Sequence, residues 1–210
     1  VASAPLQSVG VVGLPFPRAP LDWRVGQGPG LGQEAIGLRE SLLQLTEQRL
    51  GSSLWLGGFS AAAWLAHALA ELLLERGQPV RGVVLLDPVD PYSGTYRWPW
   101  RRRLADRWRR GAGSLWDRGL TPERLLQKAW TQELLGRWQP SPLDVPLLVI
   151  CSRWRKRLSR HHARALQSTV RLCDLPCRRH EDVVRDPAVI ALWQGWIAQA
   201  LAGGDSDGPS

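Results

Sequence analysis

The stretch that decides the fold is LWLGGFSAAAWLAHALAELLLERGQPVRGVVLLDPVD, residues 54–90. It contains a short apolar run, Leu54–Gly57, a longer and mostly apolar segment, Ala61–Arg76, and a run rich in Val and Leu, Val80–Leu86. Run lengths and the stop at Gly77 predict a strand, a helix and a second strand. Both strands are apolar throughout, which is typical of strands buried on both faces of a parallel sheet.

Similar alternation continues upstream and downstream of this stretch. Further strands are predicted at Ser8–Leu14, Val145–Cys151 and Thr169–Leu175, and further helices at Glu34–Leu50, Ser159–Gln167 and Pro187–Leu201. Asp186 is expected to cap the last helix, with Pro187 as its first residue. The alternation predicts an α/β fold in three layers, with a mostly parallel sheet and helices on both faces.

One segment interrupts the alternation. Residues 88–142 are rich in Pro, Gly, Arg and Trp, with helices predicted at 98–110 and 122–135, and we interpret them as a helical, lid-like insertion. The chain length favours a single domain over residues 1–202. The tail GGDSDGPS, residues 203–210, is expected to be disordered because of its composition.

The charge and the apolar runs limit the partners and the location. The formal net charge is +8, with Arg and Trp concentrated in residues 95–119. Such a segment suits an acidic partner, and no nucleic-acid partner is expected because no binding motif accompanies the charge. No apolar run is long enough to predict a membrane span, and no basic segment precedes the first apolar residues, so a cytoplasmic location is expected.

The cysteines do not form a recognisable pattern. Their spacing suits neither a disulfide framework nor a zinc site, and we expect them to be reduced and structural. They are Cys151, Cys173 and Cys177. No metal site is therefore predicted.

Ser60 is the first candidate for chemistry. It lies in Gly58-Phe59-Ser60-Ala61-Ala62, between a predicted strand and a predicted helix. A nucleophile elbow needs small residues two positions before and two positions after the serine, because the backbone there is strained and closely approached. Gly58 and Ala62 meet this need. A serine that opens a helix can also be an N-cap, so both interpretations stay open on this pattern alone.

A serine nucleophile needs a base and an acid, which follow in α/β-hydrolases in the order Ser, acid, His. His180 lies between the last predicted strand and the last helix, where a loop would present it at the carboxyl edge of the sheet. The other histidines fit the role less well. His67 is expected to be packed inside an apolar helix, and His161 and His162 to be solvated on a basic helix.

The acid is predicted at the end of the strand Val80–Leu86. Many α/β-hydrolases carry it after the strand that corresponds to Val145–Cys151, but residues 145–173 contain no Asp or Glu. Asp87 follows the run VVLL directly, and Asp90 lies beyond Pro88. Because ligands bind at the carboxyl ends of parallel strands, Ser60, Asp87 and His180 would share one edge of the sheet.

These residues carry a resemblance to a known family. Residues 54–88 resemble the core of the thioesterase domains, α/β-hydrolases that release acyl or peptidyl chains from non-ribosomal peptide and polyketide synthases. The stretches DVPLLVICSR and LCDLPCRRHEDVVRDPAVIALWQGWI resemble their closing strands, histidine and final helix. The glycine usual two residues after the serine is Ala62 here. We expect the family's early strand and the loop that completes its oxyanion hole to be missing, which leaves the N–H of Ala61 as the one visible oxyanion donor.

The resemblance implies a serine hydrolase that needs no cofactor. Ser60 would attack an acyl thioester, carried by coenzyme A or an acyl carrier protein, with His180 as base and Asp87 as its orienting acid. Carrier proteins of the family are typically acidic, so the insertion would dock one through Arg101, Arg102, Arg103, Arg107, Arg109 and Arg110. Two alternatives stay open: a chlorophyllase-like carboxylic ester hydrolase, and a catalytically silent relative that acts as a binding module.

Overall fold

The fold was taken from a computed structural model of the chain. It describes residues 54–88, 140–152, 170–175 and 180–203, together with Glu40, Gln127, Trp130, Thr131 and Leu135. The predicted elements at Ser8–Leu14 and Ser159–Gln167 lie outside these residues, as do all of Glu34–Leu50 except Glu40 and most of the predicted insertion.

A four-stranded sheet organises the described part of the chain. Its strands are β1 (Leu54–Phe59), β2 (Val80–Leu86), β3 (Leu147–Ser152) and β4 (Val170–Leu175), in the spatial order β1-β2-β3-β4. Each neighbouring pair is parallel. The predicted α/β fold with a parallel sheet is therefore confirmed, and each predicted strand in these ranges is present within two residues of its expected ends.

The register of the strands brings their carboxyl ends to one edge. Phe59 of β1 pairs with Leu86 of β2, and Leu86 pairs with Ile150 of β3. The residues that follow these strands therefore leave the sheet side by side. Ser60 and Asp87 are two of these residues, so the register places them at the same edge.

Helix α1 (Ala61–Glu75) covers one face of the sheet. Its apolar residues form one buried cluster with inward-facing residues of β1, β2 and β3. Trp64 and Leu73 of α1 are fully buried there, as are Val83 and Leu147 of the strands. Burying side chains of this size is the main favourable contribution to folding.

Helix α2 (Pro187–Gly203) packs against a second cluster. This cluster contains the residues of β2 and β3 that alternate with those facing α1, such as Val84 and Ile150. Successive side chains of a strand point to opposite faces, so the two helices lie on opposite sides of the sheet. Asp186 Oδ1 accepts the Ala188 N–H at 2.9 Å, which is the predicted cap of α2.

Hydrogen bonds fix the carboxyl-terminal part of α1. At its carboxyl end Gly77 has a φ of 68°, and the N–H of Gln78 donates to Leu73 O at 2.9 Å. Gly77 is favoured because a positive φ carries little penalty without a Cβ. One turn earlier, Glu71 Oε1 accepts the Ser141 N–H at 2.7 Å and also the Ser141 hydroxyl. The bonds between Glu71 and Ser141 connect α1 to the segment that leads into β3.

In the described parts of the chain, no helix combines the length and hydropathy needed to cross a bilayer.

Candidate active site

Ser60 lies at a sharp turn between β1 and α1. Its backbone has φ 59° and ψ −119°, a conformation that non-glycine residues rarely adopt. Its N–H donates to Leu86 O of the neighbouring strand at 2.9 Å. Among the described residues, the Ser60 side chain finds no N–H of α1 to cap. The strained turn and the missing cap bond favour the elbow over the N-cap interpretation.

Gly58 is required by the geometry of the same turn. A Cβ at this position would lie 2.1 Å from Ala62 O and 2.6 Å from Ala63 N, both backbone atoms that cannot rotate away. The first turn of α1 therefore passes directly over residue 58. This close approach is the physical reason for the small residue that the sequence pattern shows two positions before the serine.

His180 contacts both of the other candidate residues. It lies in a short 3-10 helix, His180–Asp182, that precedes α2. Its Nε2 is 2.8 Å from Ser60 Oγ, and its Nδ1 is 2.6 Å from Asp87 Oδ2. A carboxylate oxygen accepts hydrogen bonds, so Nδ1–H donates to Asp87. Nε2 is then left to accept the Ser60 hydroxyl.

The ring of Phe59 supports the imidazole from one side. The two ring centroids are 4.4 Å apart and the planes are inclined by 26°, which is a stacked arrangement. The His180 side chain keeps 29% of its surface exposed. The imidazole is therefore held on its Phe59 side and at both nitrogens, while part of it stays open to solvent.

Asp87 is fully buried at the end of β2. Its φ of 42° is the second positive value of a non-glycine residue in the described ranges. The Asp87 N–H donates to Ile150 O of β3 at 2.6 Å, which fixes the turn. The sequence predicted Asp87 at this strand tip, and Asp90 lies outside the described residues.

Ser152 is a residue of the site that the sequence analysis missed. It is the last residue of β3 and only 2% exposed. Its N–H and its hydroxyl oxygen each lie 2.9 Å from Asp87 Oδ1, and the hydroxyl oxygen is 3.1 Å from Oδ2. A signal was present, because position 152 directly follows the predicted strand Val145–Cys151, after which many α/β-hydrolases carry their acid.

The remaining predictions on site residues have different outcomes. Burial lowers the pKa of His67 from 6.5 to about 3, and the side chain is fully enclosed beside Glu71, as expected for a packed residue. Ala61 is the first residue of α1, and N–H groups in a first helical turn lack an intrahelical acceptor. His161 and His162 lie outside the described residues.

A metal centre has no evident ligand set in the residues that the structure describes. No group of three His, Cys, Asp or Glu side chains comes together there in a way that could hold an ion. Cys151 is buried in β3.

Comparison with known proteins gives two sequence relatives and many related folds. No family model matches the chain. It is 34% identical over 96 residues to erythronolide synthase EryA3 of Saccharopolyspora erythraea, which covers 44% of this chain and 3% of that protein. It is 33% identical over 101 residues to the spectinabilin polyketide synthase system protein NorC of Streptomyces orinoci, covering 48% and 4%. The chain thus matches a small part of each relative.

Solved structures with a similar fold include several thioesterases. The NocB thioesterase domain from the nocardicin cluster is 18% identical, with a TM-score of 0.56 over 87% of this chain and 78% of that one. The RedJ thioesterase of Streptomyces coelicolor is 20% identical, with a TM-score of 0.55 over 78% and 67%.

Human thioesterase 2 is 14% identical, with a TM-score of 0.59 over 85% of this chain and 84% of that one. These similarities, together with the strained serine turn at the end of β1, confirm the resemblance that the sequence indicated. The chain has the fold of these thioesterases.

Proposed function

We propose that this chain is a serine hydrolase that cleaves acyl thioesters, with Ser60 as nucleophile, His180 as general base and Asp87 as the orienting acid. One observation carries the proposal: two hydrogen bonds, of 2.8 and 2.6 Å, link the Ser60 hydroxyl through His180 to the Asp87 carboxylate. This is the arrangement in which a serine hydroxyl becomes a nucleophile.

In the first half of the reaction, Ser60 Oγ attacks the thioester carbonyl. The hydroxyl proton moves to His180 Nε2, and the imidazolium that forms is stabilised by Asp87 at its Nδ1–H. The tetrahedral intermediate collapses as its C–S bond breaks. The thiol leaves with the proton from His180, and the acyl group stays on Ser60 as an ester.

In the second half, water takes the place of the thiol. His180 Nε2 accepts a proton from water, the resulting hydroxide attacks the acyl-Ser60 carbonyl, and collapse returns the proton to Ser60 Oγ. The products are a free acid and the original enzyme. The Ala61 N–H supports both halves as an oxyanion donor, because the first N–H groups of a helix stabilise developing negative charge.

Thioesters are the proposed substrates because of the comparisons. Human thioesterase 2, NocB and RedJ are all described as thioesterases, and the sequence relatives are polyketide synthases. The same chemistry hydrolyses carboxylic esters, so a chlorophyllase-like activity should be assayed alongside thioester hydrolysis. The contacts of Ser60 with His180 do not favour a silent relative, because a binding module has no need of an activated hydroxyl.

The proposed acyl donor is a pantetheine thioester on an acidic carrier protein or on coenzyme A. The Arg residues at 101–110 would dock the carrier, and residues 88–142 would form a lid in a three-layer domain. Docking by exposed charges weakens with salt, since the Debye length falls from about 10 Å at 0.1 M to about 3 Å at 1 M. Reversing three of these charges should raise KM for a carrier-bound acyl group and spare a small thioester.

Covalent labelling tests the nucleophile directly. A fluorophosphonate should label the wild-type protein and fail on Ser60→Ala. Ser141→Ala is a matched control, because Ser141 contacts Glu71 in the carboxyl-terminal part of α1, whereas Ser60 precedes the first residue of that helix, and it should label normally. Parallel assays on an acyl thioester and the matching oxygen ester then measure the substrate preference. Equal labelling of the wild type and Ser60→Ala would overturn the proposal.

A further inference from the structure

The Asp87 carboxylate is held at a place where water cannot replace its partners. Asp87 is fully buried, and Ser152 is nearly so. Burying a carboxylate carries a large desolvation penalty unless hydrogen-bond donors take the place of water. The donors at this carboxylate therefore decide its orientation as well as its stability.

Ser152 presents two donors from a single residue. Its backbone N–H bonds Oδ1 at 2.9 Å. Its hydroxyl oxygen lies 2.9 Å from Oδ1 and 3.1 Å from Oδ2, so the hydroxyl proton can reach either oxygen. Oδ2 also accepts a hydrogen bond from His180 Nδ1–H at 2.6 Å. The carboxylate is thus contacted at both oxygens, which fixes its plane toward the imidazole.

The position of Ser152 in the fold makes these contacts possible. β2 and β3 are neighbours, and the Asp87 N–H also bonds Ile150 O of β3. The turn at Asp87, here called the acid turn, therefore lies against the end of β3, where the Ser152 side chain contacts the Asp87 carboxylate. A hydroxyl here supports a carboxylate that comes from the neighbouring strand.

We propose that Ser152 is a positioning residue: its hydroxyl orients the Asp87 carboxylate toward His180 and so aligns the imidazole for proton transfer from Ser60. The inference rests on the proposed function and deepens it, because it names the group on which the acid depends. Ser152 acts through Asp87 and touches no reacting atom. Losing the Ser152 hydroxyl should therefore lower kcat and leave KM unchanged.

Three substitutions at this site separate the hydroxyl from the shape of the side chain. Ser152→Ala removes the hydroxyl and keeps the N–H, and it should lower kcat about 10- to 100-fold, as expected for losing a hydrogen bond to a charged group, with KM little changed. Ser152→Thr and Ser152→Val have the same shape and differ in the hydroxyl. Thr should therefore recover most of the lost kcat, and Val should not.

A double-mutant cycle with Asp87 distinguishes positioning from a general structural role. In an Asp87→Asn background, Ser152→Ala should reduce the fluorophosphonate labelling rate less than about threefold, because the hydroxyl has lost the group through which it acts. A hydroxyl that merely supports the fold would reduce the rate by the same factor in both backgrounds. Thermal unfolding of each variant shows that it is folded.

A spectroscopic readout is independent of the substrate. The Nδ1–H proton between His180 and Asp87 should give a strongly downfield proton resonance, absent in His180→Ala. The resonance should shift or broaden in Ser152→Ala and in Ser152→Val, and it should be restored in Ser152→Thr. Failure of the proposed function would appear as a wild-type protein that is neither labelled nor active, with this resonance still dependent on Ser152.

The inference is overturned by any one of three results. These are an unchanged kcat and an unchanged resonance in Ser152→Ala, equal kcat for the Thr and Val variants, or equal effects of Ser152→Ala with and without Asp87. Each of these would leave Ser152 as an ordinary buried serine while Ser60 and His180 could still form an active site.

Discussion

The described part of the chain contains two strained turns at the ends of neighbouring strands, and they are stabilised differently. Ser60 follows β1 with a φ of 59°, and Asp87 follows β2 with a φ of 42°. Their preceding residues, Phe59 and Leu86, are partners in the sheet register. The two turns therefore start from equivalent points and differ in what comes next.

The serine turn is held mainly by close packing of the backbone. The first turn of α1 passes so near Gly58 that a Cβ there would overlap Ala62 O. The acid turn is held by hydrogen bonds to β3, from the Asp87 N–H to Ile150 O and from Ser152 to the carboxylate. Strained backbone persists only where its surroundings over-determine it, and the two turns meet this condition by different means.

The difference predicts which substitutions each turn tolerates. A turn held by close packing is destabilised when an atom is added, and a turn held by hydrogen bonds is destabilised when a donor or acceptor is removed. The following substitutions test this contrast.

Removing the negative charge of the acid turn should have the largest effect. Asp87→Asn keeps the shape of the side chain but presents the wrong group to His180 Nδ1, and turnover should fall about 10⁴-fold. Steady-state hydrolysis of an acyl thioester measures it. Asp90→Asn is the control and should retain activity within a few-fold; the opposite ranking of the two variants would show that the acid has been assigned to the wrong residue.

Adding one carbon to the serine turn should have the next largest effect. In Gly58→Ala the new Cβ must displace the first turn of α1, and a displacement of the nucleophile near 1 Å lowers the rate about 10²-fold. Fluorophosphonate labelling rate and thermal unfolding measure it. Gly195→Ala in α2 is the matched control, since nothing lies within 4 Å of its Cβ, and it should gain roughly 0.5–1 kcal/mol. Normal labelling of Gly58→Ala would contradict the packing argument.

Removing the ring beside His180 should have a smaller effect on activity. Phe59→Leu removes the stacked contact at 4.4 Å, worth about 0.5–1.5 kcal/mol, which corresponds to a loss of about 2- to 10-fold in kcat. Phe59→Tyr keeps the ring and should stay near the wild type. If the Leu and Tyr variants were equally active, stacking would have no part in holding the base.

The smallest effect on activity is expected at His67, which acts on stability alone. Its pKa is lowered to about 3 in the folded state by burial and is 6.5 when exposed, so the unfolded state binds an extra proton between these values. Stability should therefore fall as pH drops below 6.5, by about 1.4 kcal/mol per pH unit. Urea unfolding at pH 7 and pH 5 measures it. His67→Leu should lose this part of the pH dependence, while identical slopes would assign it to other groups.

The contrast between the turns also explains what the sequence could predict. The close packing that holds the serine turn involves residues within a few positions of Ser60, and the need for Gly58 is visible in the local pattern. The strands β1 to β4 were recognisable because each is a short apolar run between turn residues, and α2 because Asp186 and Pro187 mark its start.

The support of the acid turn could not be predicted in the same way. Ser152 lies 65 residues after Asp87, and its place after the strand that often precedes the acid does not reveal that it contacts an Asp on the neighbouring strand. Its role depends on β2 and β3 being neighbours and on their register, which are tertiary facts. The stacking of Phe59 on His180 could not be predicted either, because it depends on where His180, 121 positions later in the chain, returns to the sheet.

The bond between Glu71 and Ser141 has a consequence for how such a protein can diversify. The chain leaves β2 at a turn fixed to β3, and before it re-enters the sheet it is fastened to α1 at Ser141. Doubling the length of a connection with fixed ends costs only about 0.6 kcal/mol in closure entropy. Trp130 and Leu135 already belong to the core beside α1, so the sequence between residue 88 and Trp130 is the part that can be lengthened, shortened or exchanged, and specificity would change by recombination while the chemistry is inherited intact.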